Sequence, residues 1–155
     1  MPDEMGSHTY SDLIPELKAW NDGKGITAKD WISAVGSIQH AIGYAIIFWP
    51  EFITHDGCIF RADSFNTRNY QKFLIQTAFD KSKVEAVMNH LHILDLFATE
   101  NVTENQVIFL GQILRDMWKA KLAQDFPERV FNIIFSENGH VDLLDYELTF
   151  FQLRD

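Results

Sequence analysis

RVFNIIFSENGHVDLLDYELTFFQ, residues 129–152, has the pattern of two β-strands joined by a tight turn. Large apolar residues alternate with other residues in Arg129–Ser136, the first strand, and the second strand is Val141–Gln152. Between them, Asn138-Gly139 favours a two-residue type I′ turn, because both central residues of that turn need positive φ. The sequence therefore predicts a C-terminal antiparallel β-hairpin.

The turn also fixes a register, in which Ile133 pairs with Leu144 and Phe131 pairs with Tyr146. This register places one set of large apolar side chains on a face that we expect to meet the core: Phe131, Ile133, Phe135, Leu144, Tyr146 and Leu148. The opposite face has Asn132, Asp145 and Glu147. Because a two-stranded hairpin is only marginally stable in water, we expect it to pack on helices and to gain a third strand, with Cys58–Arg61 as the candidate.

The rest of the chain has helical patterns that begin at capping residues. The predicted helices are Ser11–Asn21, Thr27–Phe48 before Pro50, Asn66 or Thr67 to Phe79, Asp80–Phe97, and Thr103–Gln124. The fold class is therefore α+β: mostly helical, with four to five helices and the C-terminal hairpin, extended to a small three-stranded sheet if a third strand joins. We expect one domain over residues 1–155, with residues 1–10 flexible.

The second of these helices has two faces suited to packing. Apolar residues recur at helical spacing along one stripe, formed by Trp31, Val35, Ile38, Ile42, Ala45 and Trp49. On the other side lie Gly36, His40, Gly43 and Ile47, and the small residues among them would let a second element approach closely. We expect this helix to be covered on both sides and to lie near the centre of the domain.

Composition excludes several classes of function. The net charge of −9, from 22 acidic and 13 basic residues, opposes binding to nucleic acid and to anionic membranes. It suits a soluble protein, as in many cytosolic bacterial proteins, or one with a basic partner. The single cysteine fits a reducing compartment. Residues 1–12 lack a secretory signal, and Val35–Trp49 is too short and polar to span a bilayer. We expect a cytoplasmic location.

The segment HLHILD, residues 90–95, concentrates side chains that bind metals or transfer protons. In a helix, His90 and His92 point to different sides and cannot chelate one metal together; only a strand would allow that. His92 and Asp95 share a side, within the apolar stripe. They are interpreted either as a pair that orients a catalytic imidazole or metal ligand, or as a buried carboxylate satisfied by a histidine. No zinc-site spacing or HExxH motif is present, so neither a metal nor a cofactor is predicted.

Two other histidines have alternative interpretations. His55-Asp56-Gly57-Cys58 forms a turn in which the imidazole could activate the thiol, although a lone cysteine is more often simply buried. His40 lines a pocket or makes a hydrogen bond across a packing seam. The chain has neither a phosphate-binding loop nor a GxSxG motif.

The hairpin is also acidic. Glu137, Asp142, Asp145 and Glu147 form a negative patch, and either Phe150 or Phe151 is exposed beside it; Phe151 is the candidate. This patch is either a solvated sheet face or a surface that steers a basic partner into contact.

Two functions are predicted as alternatives. One is a small acidic protein that binds or regulates another protein without catalysis; by charge and size alone it is comparable to antitoxins and toxin-immunity proteins. The partner is then another protein, and a basic one fits the charge. The residues predicted to bind it are Glu137, Asp142, Asp145, Glu147 and Phe151. The other is a small metal-dependent or His/Asp-based hydrolase that uses His92 and Asp95. Homodimerisation through the sheet edge or the aromatic end of the hairpin is a third interpretation.

Overall fold

The computed structural model describes residues 9–97, 101–136 and 142–155. These residues form an α+β structure with six α-helices and two small antiparallel sheets. The chain divides into two compact units, residues 1–44 and 45–155. The α+β class and the C-terminal pair of strands agree with the sequence prediction. That the chain forms a single domain stays a prediction.

The first unit begins with a short helical segment. Helix α1 is Tyr10–Leu13, and a 3₁₀ turn follows at Pro15–Lys18, where a continuous helix over Ser11–Asn21 was predicted. The amide of Ile26 donates to the carbonyl of Leu17 at 3.1 Å and ties the following loop to this turn. Asn21 and Asp22 have positive φ (56° and 51°), so a right-handed helix cannot extend to Asn21 as predicted.

The predicted helix from Thr27 to Phe48 is two helices. Thr27 caps α2, Ala28–Val35, by accepting a hydrogen bond from the amide of Asp30, as predicted. Gly36 then adopts an extended conformation (φ −67°, ψ 149°). The hydroxyl of Ser37 accepts a hydrogen bond from the amide of His40 and starts α3, Ile38–Phe48. Local capping by Ser37 thus competes successfully with continuation of the helix.

The prediction that this segment is covered on both sides is wrong. Every residue from 32 to 46 is exposed, including the isoleucines that define the predicted apolar stripe. Ile38 keeps 76% and Ile42 keeps 56% of its surface accessible. Helical spacing identified which residues share a face, but it gave no information on whether anything packs against that face.

The second unit contains the other helices, at positions that their caps define. Helix α4 is Thr67–Gln76, α5 is Lys81–Met88 and α6 is Glu104–Asp125. The predicted caps Asn66, Asp80 and Thr103 all accept hydrogen bonds from amides three residues later. Helix α5 ends nine residues before the predicted limit at Phe97, so the second half of that prediction is wrong.

The residues that the structure describes include five short strands, which form two sheets. Strands β1, Phe52–His55, and β2, Cys58–Arg61, make a two-stranded hairpin. Strands β3, Leu91–His92, β4, Phe131–Phe135, and β5, Glu147–Gln152, make a second sheet in the order β3-β5-β4. Cys58–Arg61 is therefore a strand as predicted, but it pairs with β1, and the third strand of the C-terminal sheet is β3.

The register of the C-terminal strands differs from the predicted one. Phe131 pairs with Gln152 and Ile133 with Phe150, six positions beyond the predicted partners. Asn138-Gly139 lies outside the described residues. The shift arises because a 3₁₀ turn, Leu143–Asp145, occupies part of the predicted returning strand. Since six is an even number, the predicted core face is kept; Phe135, Tyr146 and Leu148 are buried, but Leu144 is exposed.

The core of the second unit lies between α6 and the C-terminal sheet. Its largest buried side chains include Trp118 of α6 and Phe150 of β5, whose rings meet edge to face at 5.9 Å. The indole of Trp118 donates to the carbonyl of Ile47 at 3.0 Å, so its polar atom is satisfied. A second cluster joins Cys58, Phe60, Tyr70, Val84 and Met88.

Candidate functional site

The segment HLHILD leaves the helix because Asn89 is held by distant backbone groups. The buried Asn89 side chain donates to the carbonyls of Ile59 and Phe150 at 3.0 and 3.3 Å, and accepts from the amide of Arg61 at 3.0 Å. These bonds join β2 and β5 to the end of α5. Leu91 and His92 then pair with β5, and a 3₁₀ turn follows at Ile93–Leu96.

This conformation brings two histidines together. The ring centroids of His90 and His92 are 5.3 Å apart, and the ring planes are nearly perpendicular at 88°. The prediction that these side chains point to different sides is wrong, because it assumed a helix. In extended backbone, residues two apart face the same side.

Hydrogen bonds fix the tautomer of both rings. Nδ1 of His90 lies 2.5 Å from the carbonyl oxygen of Val87, and Nδ1 of His92 lies 2.6 Å from the carbonyl oxygen of Leu144. A carbonyl oxygen only accepts, so each Nδ1 is the protonated donor. In the neutral imidazole, Nε2 then has a free lone pair.

A carboxylate lies beside this pair. Glu147 is directly opposite His92 in the β3–β5 register, and its Oε2 is 3.7 Å from Nε2 of His92. This distance is too long for a hydrogen bond, but it is close enough for electrostatic attraction when the imidazole is protonated or holds a cation. The His92 side chain is 34% accessible and His90 is exposed, so both rings are open to solvent.

Asp95 does not join His92. It lies in the 3₁₀ turn and is exposed, so the prediction of a buried carboxylate in an apolar stripe is wrong. Within the part of the chain that the structure describes, no hydrogen bond to the Asp95 carboxylate is formed. The acidic neighbour of His92 is Glu147, which pairs with it across the sheet.

The His55–Cys58 turn has the character of a structural site. The imidazole of His55 lies 4.9 Å from the ring of Phe65 and 4.7 Å from that of Tyr70. Cys58 is completely buried, and burial together with nearby Glu85 raises the pKa of its thiol. A raised pKa disfavours the thiolate that a nucleophile needs.

Asp56 in this turn is bound by two donors. The hydroxyl of Tyr70 donates to its carboxylate at 2.6 Å, and the ammonium of Lys81 lies 3.2 Å away. These contacts, the Tyr70 hydrogen bond first, hold the pKa of Asp56 below its usual value. Burial and the same hydrogen bond raise the pKa of Tyr70.

Sequence analysis missed a buried carboxylate, Glu85. It has 0% accessibility and accepts hydrogen bonds from the amides of Ile59 and Gln152, each at 2.8 Å. The guanidinium of Arg154 forms an ion pair with it, also at 2.8 Å. Glu85 lies beside Val84 and three residues before Met88, so helical spacing already placed it next to the buried face of α5. Both oxygens of the Glu85 carboxylate are already bound by groups of this chain, so its role is structural.

The predicted partner-binding residues are distributed along one segment. Glu137 lies outside the described residues. Asp142 accepts a hydrogen bond from the amide of Leu144 and caps the 3₁₀ turn, and Asp145 is exposed. Glu147 is half-buried beside His92, and Phe151 is half-buried opposite Asn132.

The exposed surface of α2 and of the first part of α3 is the other feature that sequence analysis missed. Residues 31–50 include no Asp, Glu, Lys or Arg. Among those that belong to the first unit, four large aliphatic side chains are exposed: Ile32, Val35, Ile38 and Ile42. We call these four residues the helical apolar surface. Ile32 and Val35 share a face of α2, and Ile38 and Ile42 share a face of α3. The signal in the sequence was the unbroken absence of charge.

Comparison of the chain with models of known families, with curated proteins and with solved structures found no match. None of the helices in the described ranges has both the length and the apolar character needed to cross a bilayer. Within residues 9–97, 101–136 and 142–155, no three or more His, Cys, Asp or Glu side chains are grouped so that they could hold a metal ion.

Proposed function

We propose that this protein works by binding another protein, without catalysis, and that the partner docks on the helical apolar surface. One observation supports this most strongly: residues 32–46 are all exposed although this stretch is apolar and uncharged. A helix that is apolar on most sides is normally covered by protein or lipid. Large exposed apolar patches mark interaction surfaces.

The energetic reason is the hydrophobic effect. Burying apolar surface contributes about 25 cal/mol per Å², and a fully buried isoleucine side chain contributes roughly 1.5–3 kcal/mol. Ile32, Val35, Ile38 and Ile42 each keep at least half of their surface accessible, so that part of this energy is not gained in the free chain. A partner that covers them obtains it as binding energy, less the cost of association.

Close approach is also available at Gly43. A Cβ atom built there meets nothing within 4 Å, so the surface of α3 is open beside Ile42. A glycine at such a point lets the backbone of another chain come nearer than a larger side chain would allow.

The partner that fits is a basic protein with an apolar patch. The chain has a net charge of −9, and the uncharged stretch lies between Asp30 and Glu51, although Lys29 is also near. Positive charges around an apolar patch would meet the carboxylate of Asp30, which precedes the surface in α2, and charges at the rim of an interface set the rate of association. The carboxylates of Asp142, Asp145 and Glu147 belong to the second unit and would add long-range electrostatic attraction for a basic partner.

An anionic membrane is a poorer fit. Helices that lie on membranes usually have several Lys or Arg residues on their polar face, and α3 has none. The net negative charge opposes approach to an anionic surface. A second copy of the chain brings no opposite charge. Antitoxins and immunity proteins illustrate the proposed type of activity, by analogy of charge and size.

The hydrolase alternative has less support. It needs His92 and Asp95 to act together, and Asp95 is exposed and does not contact the imidazole through a hydrogen bond. The predicted pair relies on a carboxylate that orients the imidazole through a hydrogen bond, and Asp95 is not in that position.

The test is capture of a partner by tagged protein from a native lysate at low salt, with two matched variants. I42E places a charge on the helical apolar surface, and I75E does the same at an exposed isoleucine of α4. The captured protein is identified, purified and titrated by calorimetry. We expect a basic, stoichiometric partner whose affinity falls at least about 30-fold with I42E, as for a central interface residue, and stays unchanged with I75E.

Three results would overturn the proposal. One is the absence of any stoichiometric partner, and another is equal binding by I42E and I75E. The third is an alternative occupant: a dimer of wild-type protein by light scattering that I42E dissociates, or flotation with vesicles of phosphatidylcholine and phosphatidylserine that I42E abolishes.

A further inference from the structure

His90, just before β3, and His92, within it, have the ring spacing of a chelate. In tetrahedral or octahedral coordination by Nε2, with metal–nitrogen bonds of about 2.0–2.1 Å, the centroids of two imidazoles on one metal are about 5.2 or about 4.5 Å apart. The centroids of His90 and His92 are 5.3 Å apart. They therefore have to approach by about 0.1 Å for tetrahedral and about 0.8 Å for octahedral coordination, and the exposed His90 ring is free to make that movement.

Both rings are also oriented as metal ligands usually are. A histidine that binds a metal through one nitrogen commonly donates its other N–H to a carbonyl or carboxylate, which fixes the ring and its tautomer. Here Val87 and Leu144 provide those two carbonyl oxygens. Neither Nδ1 is available to a ligand, and each Nε2 has its lone pair free in the neutral ring.

Charge favours a cation at this place. The carboxylate of Glu147 is 3.7 Å from Nε2 of His92, and the chain as a whole is negative. Glu147 is held opposite His92 by the β3–β5 pairing, which also fixes the backbone of both residues. The strand is at the edge of its sheet, where solvent reaches the rings.

We propose that His90 and His92 form an open, two-imidazole site for a divalent transition-metal ion of the Cu²⁺, Ni²⁺ or Zn²⁺ class. Imidazole nitrogen suits these ions, whereas Ca²⁺ and Mg²⁺ prefer oxygen ligands. Two protein ligands leave the other coordination positions to water or to a ligand from another molecule. The site belongs to the second unit and is independent of the helical apolar surface.

Calorimetric titration with NiCl₂ tests the site, using wild-type protein, H90Q, H92Q and the control H40Q. His40 is exposed, and its ring lies 6.5 Å from Tyr44, so H40Q removes an exposed histidine outside the pair. We expect one Ni²⁺ per chain in wild-type protein, a loss of at least tenfold in affinity with either H90Q or H92Q, and no change with H40Q. E147Q should weaken binding less than either histidine variant.

A second measurement uses wild-type protein alone, so it does not depend on whether the variants fold. In a Zn²⁺ titration of wild-type protein followed by NMR of the histidine rings, the Nε2 signals of His90 and His92 should shift together, while those of His40 and His55 stay in place. Ni²⁺ binding that survives in H90Q and H92Q, no Ni²⁺ binding by wild-type protein, or Zn²⁺ shifts confined to other histidines would overturn the proposal.

Discussion

At the scale of single residues, buried polar side chains determine how the second unit is held together. Asn89 and Glu85 both bind backbone groups of β2 and β5. Neither role is visible in the sequence, because the partners are 26 to 67 residues away. The sequence showed that a carboxylate lies near an apolar face; only the fold shows which amides meet it.

Glu85→Ala should be strongly destabilising. It leaves the amides of Ile59 and Gln152 without their acceptor and Arg154 without its ion-pair partner. Breaking a buried, hydrogen-bonded ion pair by removing one partner typically costs 3–5 kcal/mol, and we expect about 3 kcal/mol here because Arg154 is partly exposed. Urea unfolding at neutral pH measures the change. Glu128→Ala, at a largely exposed residue, should alter the free energy by less than about 0.5 kcal/mol; equal effects would contradict this account.

Asp56 predicts a pH dependence of stability. Its pKa is lower in the folded state than in the unfolded chain, where it is about 3.9. Its contribution is therefore complete above the unfolded pKa and is lost as pH falls through the lower folded pKa. The difference in unfolding free energy between wild-type protein and D56N should be larger at pH 6 than at pH 2, measured by urea unfolding. Y70F should show the same trend, since it removes the main donor. A difference independent of pH would contradict the assignment.

At the scale of elements, the capped starts of α2, α4, α5 and α6 were predictable, whereas the end of α5 and the break between α2 and α3 were not. Thr27, Asn66, Asp80 and Thr103 act through hydrogen bonds to amides three residues away, so a short window contains the whole signal. The end of α5 depends on Asn89 binding distant strands, and the break between α2 and α3 depends on a choice between two local hydrogen-bond patterns at Ser37. The predicted register of β4 and β5 was wrong for a similar reason. Asp142 caps a 3₁₀ turn, and the alternating pattern of a strand did not indicate that turn.

Replacement by alanine should change the stability in opposite directions at two glycines: Gly43 within α3 and Gly36 at the end of α2. At Gly43, a Cβ meets nothing, and replacing glycine in a helix interior stabilises it by about 0.8–1 kcal/mol. At Gly36, a Cβ would lie 2.4 Å from the carbonyl oxygen of Ile32, so the backbone must shift. Thermal unfolding followed by circular dichroism at 222 nm should rank G43A above wild-type protein and G36A below it. The reverse order would show that the break at Gly36 is not where the structure places it.

At the scale of the whole molecule, charge and apolar surface are separated along the sequence. Acidic residues are frequent outside residues 31–50, and that stretch has none. Composition alone predicted an acidic protein with a basic partner, and the acidic residues of the hairpin were predicted to bind that partner. The structure adds an uncharged helical surface as a stronger candidate, which the apolar periodicity had assigned to the core because periodicity cannot distinguish a covered face from an open one.

Hydrogen–deuterium exchange of the amides in α2 and α3, with and without the purified partner, tests the proposed binding surface most directly. In the free protein, exposed helices with little packing should exchange quickly. With the partner bound, we predict slower exchange across residues 32–46 and little change in α4, which contains the control residue Ile75. Unchanged exchange in residues 32–46 on binding, or protection already present in the free protein, would contradict the account.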